Sequence, residues 1–523
     1  MGDEEHSSIM HDLLWWQYIL LAIILVSGYL LVLDVHASYT GSYIDPHSSQ
    51  FIIDGQDVSY TYPLHADEWT HLAQAQYMMS SHGMANVNPY IQQSTHRDLE
   101  SGFHSFLAAF FTSTGLDPIT TYQYLPAIFM VITMLSLFLM LIVIIKNYWI
   151  ALLSTLFLLF VKSNINLMGS WFFLPMIFAL FLMFMFFAAY FSKGPIRYLA
   201  ILFYLATIFS YPTMTIIITM IVILYEIVNA ILHQDKTLFS LRYVKYYIII
   251  IVALFTALMI FFKGRLSAIP FIVKYGWTIY FEQTYTPMQM YGWIPTILAI
   301  IGIAYVIIKR KNLLMIAAPV VFIVPMIMYS LFRFTILIPY QRAFFYFLIS
   351  LVPLSAIGIY YIYNLFYSLF RSLFDIKSLV RFISISIVVI LLLLTSILGF
   401  RSYYKIDDNR FLLVHYATDT DYQAMQWIKQ NYGKDTVIMA DIFTAFATYP
   451  LTGMQTVAVA PSNLEGGNMS VTQNFYFGSG TDCNSRQGIL TKYHVKLVYS
   501  YDVINCNFLK EVYNKGVNVY EVI

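Results

Sequence analysis

Charge is what this chain has least of. Only 11% of its 523 residues are Asp, Glu, Lys or Arg, 59% are hydrophobic, and the mean hydropathy is +0.67. Soluble globular proteins carry about 25% charged residues, so a soluble protein is excluded and an integral membrane protein is indicated. Cysteine is nearly missing. The two present, Cys483 and Cys506, cannot build a disulfide framework or a Cys-rich zinc site, though an oxidising exterior would let them pair with each other. A net charge of +1 offers no basic surface for nucleic acid, so no nucleic-acid partner is expected. The chain also lacks internal repeats, and with them the paired broken helices that mark many transporters.

What is there, in quantity, is long apolar runs. A helix needs about 20 apolar residues to cross the hydrocarbon core. Eleven candidate spans lie near 14–33, 123–145, 148–161, 169–191, 197–210, 212–232, 246–262, 293–308, 313–331, 343–366 and 382–400. With the N-terminus cytoplasmic, the short inner loops hold the clustered Lys and Arg, Lys309-Arg310-Lys311 the densest, as the positive-inside rule expects. The segment before Trp15 carries Asp3, Glu4, Glu5 and Asp12 and no basic residue, but acidic residues weigh little in that rule. Val35-His36-Ala37 loosely resembles a signal cleavage site. The apolar stretch is long for a signal core and a basic n-region is missing, so an uncleaved first helix is expected.

This orientation places residues 34–122 and 401–523 outside, with a medium segment, 263–292, between them. The expected organisation is a transmembrane domain over 1–400, with 34–122 as its first outer loop, and an extracytoplasmic α/β domain over 401–523. The densest chemistry in the chain falls just after the first span. His65, Asp67, Glu68 and His71 sit within Tyr62–Met79, which reads as a helix from Asp67 onward. Its carboxylates stand where a helix start favours them. Asp67 and His71 are four apart and project from one face. A carboxylate and an imidazole on one face can do acid–base work or hold a cation. The competing reading is an N-capping Asp with an incidental His.

Residues 34–61 read as a loop, and the spacing of Asp54 and Asp57 matches no calcium-binding loop. Gly83 is placed at the helix stop. Asp98–Thr114 forms a second short helix, too short to span, with His104 near its start. Lys162, Asn164 and Asn166 mark an outer turn, and Tyr211-Pro212 another. Residues 263–292, rich in aromatics, suit either a mobile cover or an interfacial belt. Arg333 and Arg342 bracket an outer turn where positive charge is otherwise avoided. They invite an anion, since guanidinium holds phosphate bidentately, or they snorkel to headgroups. Beyond Arg401 come an amphipathic helix over 419–432 capped by Asp419 or Asp421, and strands over 436–440, 457–460, 495–499 and 517–522. Helix capping explains Asp419-Thr420-Asp421 better than sugar-nucleotide binding does. Asn468-Met469-Ser470 is a glycosylation sequon on the outer side.

An acidic pair after the first span, two surface helices and about eleven spans resemble the GT-C glycosyltransferases. These include the protein O-mannosyltransferases, the aminoarabinose lipid A transferases and the dolichol-pathway mannosyltransferases. His65-Ala66-Asp67-Glu68 is similar to the family's His-x-Asp-Glu variant. Glu100-Ser101-Gly102-Phe103-His104, Gln341-Arg342-Ala343 and the final α/β domain resemble archaeal and bacterial members. The resemblance implies an α-helical polytopic enzyme that transfers a sugar from a polyprenyl- or dolichyl-phosphate donor to a protein, lipid or glycan acceptor on the outer face, with inversion. It implies Asp67 and Glu68 as the catalytic carboxylates, Asp67 being the base. Arg342, with Arg333 or Arg97, would bind the donor phosphate. Glu68, His65 and His71 would orient Asp67 or help hold a divalent cation such as Mg or Mn, with Glu100 and His104 in support. Metal dependence varies in the family. Oligosaccharyltransferase subunits share the layout but carry Trp-Trp-Asp-Tyr-Gly in the soluble domain. Here Trp15-Trp16-Gln17-Tyr18 opens the first span and lacks the Asp, which argues against en bloc N-glycan transfer. A lipid or polysaccharide transporter, and a non-catalytic membrane protein with a sugar-binding outer domain, are the rival readings. The surface position of the polar cluster speaks against the first, and the pairing of Asp67 with His71 against the second.

Overall fold

Runs of Leu, Ile, Phe and Met leave the backbone no hydrogen-bond partners in lipid except its own, so these segments become helices. The computed structural model describes residues 15–37, 39–44, 51–58, 60–83, 87–91, 98–164, 167–233, 285–310, 312–332, 335, 338–374, 376–403, 416–460, 467–478 and 482–523. Among them, six helices are long and apolar enough to span: Trp15–Val35, Pro118–Ile145, Pro212–Ala230, Leu314–Phe332, Tyr340–Leu373 and Lys377–Gly399. Four shorter apolar helices, Tyr148–Leu158, Pro175–Phe191, Gly194–Ser210 and Trp293–Lys309, accompany them. The expected span at 246–262 and most of the 263–292 segment lie outside the described residues.

The helix Tyr340–Leu373 is the hub. In its apolar window 83% of residues are buried, against 11% for Lys377–Gly399, so the second faces lipid while the first is packed round by protein. At 34 residues it is about 50 Å long, more than the hydrocarbon core requires. Trp293–Lys309 crosses it at two glycines. A Cβ on Gly302 would stand 1.9 Å from the Leu354 carbonyl oxygen, and one on Gly358 2.0 Å from that of Leu298. Only glycine lets these backbones meet. Ser355 adds a polar tie, donating to the Pro295 carbonyl at 2.8 Å and accepting from Tyr291 Oη at 2.9 Å.

The segment 34–61 departs from the expected loop. An antiparallel hairpin, β1 (Tyr39–Ile44) and β2 (Phe51–Val58), occupies it. Its Gly and Asp residues read as turns in the sequence. Two surface helices follow: α1 (Ala66–Ser81) and α2 (Ser101–Thr114). At the end of α1 it is His82, at φ 52°, that takes the left-handed position, not Gly83.

The C-terminal residues build a five-stranded mixed sheet. β3 (Val437–Met439), β4 (Gln455–Thr456) and β5 (Leu497–Ser500) run parallel; β6 (Leu509–Asn514) and β7 (Asn518–Val522) are antiparallel, in the order β4-β3-β5-β7-β6. The expected strand at 457–460 is displaced to β4, with only Ala458 bridged, to Gly467. Helix α3 (Asp419–Asn431) is capped by Thr418 rather than by either aspartate; Asp421 closes the capping box from within. Cys483 and Cys506 are joined, with Cα atoms 5.5 Å apart. Asn468 stands exposed at the start of Met469–Phe477.

Candidate active site

The site begins with how α1 starts. His65, in extended backbone, is its N-cap: Nδ1 accepts from the Asp67 N–H at 3.0 Å. Glu68 reaches back, its Oε2 accepting from the N–H groups of His65 at 3.1 Å and Leu64 at 2.9 Å. Its other oxygen accepts from the Phe173 N–H at 2.9 Å, just before the membrane helix Pro175–Phe191. Glu68 is fully buried, and burial pushes its carboxyl up to about 8 against the pull of those three N–H donors. It is a strut tying α1 to the bundle.

Asp67 is left over. Capping by His65 and Glu68 removes it from the role of N-cap that the sequence allowed, and it is 9% exposed rather than solvent-facing. His65 Nδ1 lies 3.9 Å from its carboxylate, but that nitrogen already accepts the Asp67 N–H and carries no proton to give. Thr70 Oγ1 donates to the Asp67 backbone carbonyl at 2.9 Å, but among the described residues none donates a hydrogen bond to its carboxylate.

One turn on, His71 Nδ1 meets His104 Nε2 at 2.8 Å. Asp98 takes the other nitrogen of His104, Nδ1, at 2.8 Å. The carboxylate fixes the tautomer, so His104 Nε2 offers a lone pair and His71 Nδ1–H donates to it. Burial lowers the His71 pKa, and the Arg342 charge acts in the same direction, so the ring is neutral. Glu100 Oε2 lies 3.8 Å from His71 Nδ1. Burial pushes Glu100 up to about 8, with Arg342 opposing and Asp98 and Asp67 reinforcing.

Gly102 explains why α2 delivers these groups. A Cβ there would sit 2.9 Å from Phe209 and 3.0 Å from Ser210 Oγ, so the helix lies against the end of Leu199–Ser210. Tyr211 follows directly. Its hydroxyl accepts from Arg342 Nη1 at 3.0 Å, while Nη2 contacts Met168 Sδ at 3.7 Å. Arg342, near the start of the hub helix, forms no ion pair within 4 Å among the described residues, yet its charge acts on Glu100 and His71. Most of the guanidinium's five N–H donors stay available. A half-buried arginine with spare donors could meet an anion, and a carboxylate without a donor could take a proton.

The structure thus gathers His65, Asp67, Glu68, His71, Glu100, His104 and Arg342. Arg333 and Arg97 lie outside the described residues. Sequence reasoning passed over Asp98 and Tyr211. The Asp98-x-Glu100 spacing before His104 was a usable signal; Tyr211 read only as a turn.

His71, Glu100 and His104 offer one ligand atom each, all within 4.8 Å of one another, and Asp98 braces His104 from behind as carboxylates brace metal-bound histidines. Two imidazoles and one carboxylate fit Zn or Mn; Mg favours an all-oxygen shell. A metal there requires His71 to surrender the Nδ1 proton.

No family model matches the chain, and no curated relative does. Solved structures do. An archaeal oligosaccharyltransferase AglB from Archaeoglobus fulgidus, in complex with an inhibitory peptide and a dolichol-phosphate, superposes with a TM-score of 0.58 at 11% identity, over 93% of this chain and 70% of that one. The same organism's oligosaccharyltransferase in complex with Zn and sulfate gives 0.55 at 11%, over 91% and 67%. ArnT from Cupriavidus metallidurans bound to undecaprenyl phosphate gives 0.54 at 10% identity, over 97% of both chains. At such identities the likeness is one of fold, and the fold is that of the GT-C membrane glycosyltransferases.

Proposed function

We propose that the protein transfers a sugar from a polyprenyl-phosphate carrier to a hydroxyl acceptor at the outer face of the membrane. The observation that carries this is the contrast at the start of α1. Glu68 is saturated by three backbone donors, while Asp67 has none and lies within the field of Arg342. Such a pair suits displacement of a phosphate. Asp67 takes the proton of the acceptor hydroxyl, whose oxygen attacks the anomeric carbon from the face opposite the leaving group. The bond from that carbon to the phosphate oxygen breaks, and the configuration inverts. Arg342 meets the charge left on the departing lipid phosphate. A divalent cation held by His71, Glu100 and His104 would supply further positive charge beside that phosphate. The ligands named for the two solved relatives, dolichol-phosphate and undecaprenyl phosphate, have the chemistry of the leaving group.

The scheme needs the site on the outer side, with about eleven spans and a cytoplasmic N-terminus. Reporter fusions after Lys311 should then be cytoplasmic and those after Arg401 external; a cytoplasmic outer domain would sink the scheme. The direct test is transfer itself. Membranes bearing the protein should pass label from a radiolabelled polyprenyl-phosphate sugar into covalent linkage with an acceptor. Label that crosses the membrane and stays on its lipid would make the protein a transporter instead.

A further inference from the structure

Among the described residues, six other than glycine hold a left-handed backbone: His82, Lys146, Met168, Arg310, Asn312 and His494. Five are polar, and four of those are exposed. Met168, at φ 50° and half-buried, is the apolar one. A left-handed position suits glycine and, after it, asparagine; any other side chain meets a steric cost there. A stitched turn holds Met168 in place. Asn164 Oδ1 accepts from the Leu167 N–H at 2.7 Å, and the Asn164 carbonyl accepts from the Met168 N–H at 2.9 Å. Ser163 Oγ accepts from the Trp171 N–H at 3.4 Å. Gly169 lets the turn close on the hub helix, since a Cβ there would stand 2.8 Å from Ser163 Oγ and 3.0 Å from the Phe345 ring. Phe345 lies one turn along the hub helix from Arg342, on the same face. The turn thus brings Met168 Sδ to 3.7 Å from Arg342 Nη2, while Tyr211 Oη accepts from Nη1 at 3.0 Å. Each terminal nitrogen of the guanidinium has a neighbour, and the two neighbours differ in kind. The hydroxyl is a full acceptor. The thioether is a weak one, soft enough to pack against the edge of a cation.

We infer that Met168 is a positioning residue for the donor phosphate: it steadies the Arg342 fork by packing against Nη2 and leaves the N–H groups of that nitrogen free for phosphate oxygens. The backbone argues for the side chain. Asparagine would relieve the turn, but an amide oxygen is a full acceptor and would claim an Nη2 N–H for itself. A strained position held by a residue that the turn does not favour is explained by what its side chain touches. The thioether does not compete with phosphate for these donors, and it fills the space in which water would. The planar fork is thereby set for bidentate binding before the lipid arrives. The inference rests on the glycosyl-transfer reading above, in which Arg342 receives the lipid phosphate.

The test uses the purified full chain in detergent, with radiolabelled dolichyl phosphate and undecaprenyl phosphate as binding probes; sugar transfer is measured separately in vesicles. Met168→Gln, equal in length and a full acceptor, should weaken binding by about 2- to 10-fold, the worth of one neutral hydrogen bond. Met168→Leu, close in volume and no acceptor, should bind as wild type does. Met168→Gly relieves the backbone and removes the side chain. It should melt above Met168→Ala and still bind less tightly than wild type, a pairing that a purely structural role does not produce. In Arg342→Ala, adding Met168→Gln should change binding no further, because the two side chains act as one unit. Wild-type binding by Met168→Gln or Met168→Gly overturns the assignment alone. So does a Met168→Leu loss as large as that of Met168→Gln, or a Met168→Gln loss that persists in Arg342→Ala. The expected pattern of binding in a protein that transfers no sugar would support the role of Met168 toward a lipid phosphate and overturn the glycosyl-transfer reading. A wild-type chain that binds neither probe overturns both.

Discussion

Two helices in this molecule start the same way and end up with different work. α1 and α3 each open with a capping box, His65 with Glu68 in one and Thr418 with Asp421 in the other. In both the inner acid is consumed. Glu68 takes three backbone N–H groups. Asp421 takes the N–H and hydroxyl of Thr418 and the hydroxyls of Tyr499 and Tyr501. Each box also has a second acid close by. Asp419 is exposed and accepts from Tyr62 Oη at 2.7 Å; Asp67 is buried, without a donor, and electrostatically coupled to Arg342. Local sequence makes the cap. What faces the spare carboxylate decides whether it is chemistry.

The largest effect expected from that contrast is at Asp67. Asp67→Asn keeps the side-chain shape and cannot accept a proton, and losing a general base costs about 100- to 10,000-fold in rate. Because His65 and Glu68 supply the cap, the fold should survive, which thermal melting of the purified full chain would show. Near-wild-type transfer by Asp67→Asn would reduce α1 to the same standing as α3.

Arg342 is the group that the α3 start has no counterpart for. Arg342→Ala should lower transfer by about 100- to 1,000-fold, the range seen when one donor to a developing oxyanion is removed. Arg342→Lys should recover only part of it, since the ammonium lacks the planar fork. Donor affinity, read as competition by undecaprenyl phosphate, should weaken in both. Equal competition in wild type and Arg342→Ala would remove the arginine from the donor site.

The sequence made one of these two helix starts far more legible than the other. Composition alone specifies a helical membrane protein, and the spacing of Asp67 and His71 places both on one face. The Glu100–His104 stretch belongs to the site for a reason visible only in three dimensions: Gly102 lets α2 lie against Phe209. Tyr211 is 131 residues from Arg342 in the chain, and no local pattern announces such a neighbour. In the C-terminal sheet, Val457–Ala460 is apolar enough for a strand, but the chain had already paired two residues earlier, at Gln455. The capping residue of α3 was misread because Asp419 and Asp421 are as good cap formers as Thr418; only the direction of the Asp421 side chain, back onto Thr418, separates them.

The inner acids should resemble each other in loss. Glu68→Gln replaces one acceptor oxygen with an N–H₂ group facing backbone donors, and Asp421→Asn does the same beneath two tyrosine hydroxyls. Leaving such buried partners unsatisfied costs about 1–3 kcal/mol each. Melting temperatures should fall in both. Only Glu68→Gln should also lower transfer, because it releases the α1 start that holds Asp67 in place. A Glu68→Gln protein that is destabilised and fully active would show that the strut and the base are independent.

The smallest expected effect is the sharpest check on the comparison. Asp419 has the residue type and helix-start position that make Asp67 conspicuous, and its partner is a single tyrosine hydroxyl. In Asp419→Asn the amide oxygen can still accept from Tyr62 Oη, and no buried donor loses its acceptor. The side chain is exposed, so solvent replaces whatever the charge contributed at this surface. Transfer rate, acceptor KM and melting temperature should all match wild type when measured beside Asp67→Asn in the same membranes. Loss of transfer in Asp419→Asn would mean that the acid pair of α3 takes part in the chemistry, and the line between a capped helix and a catalytic one would have to be redrawn at Tyr62, whose hydroxyl holds Asp419.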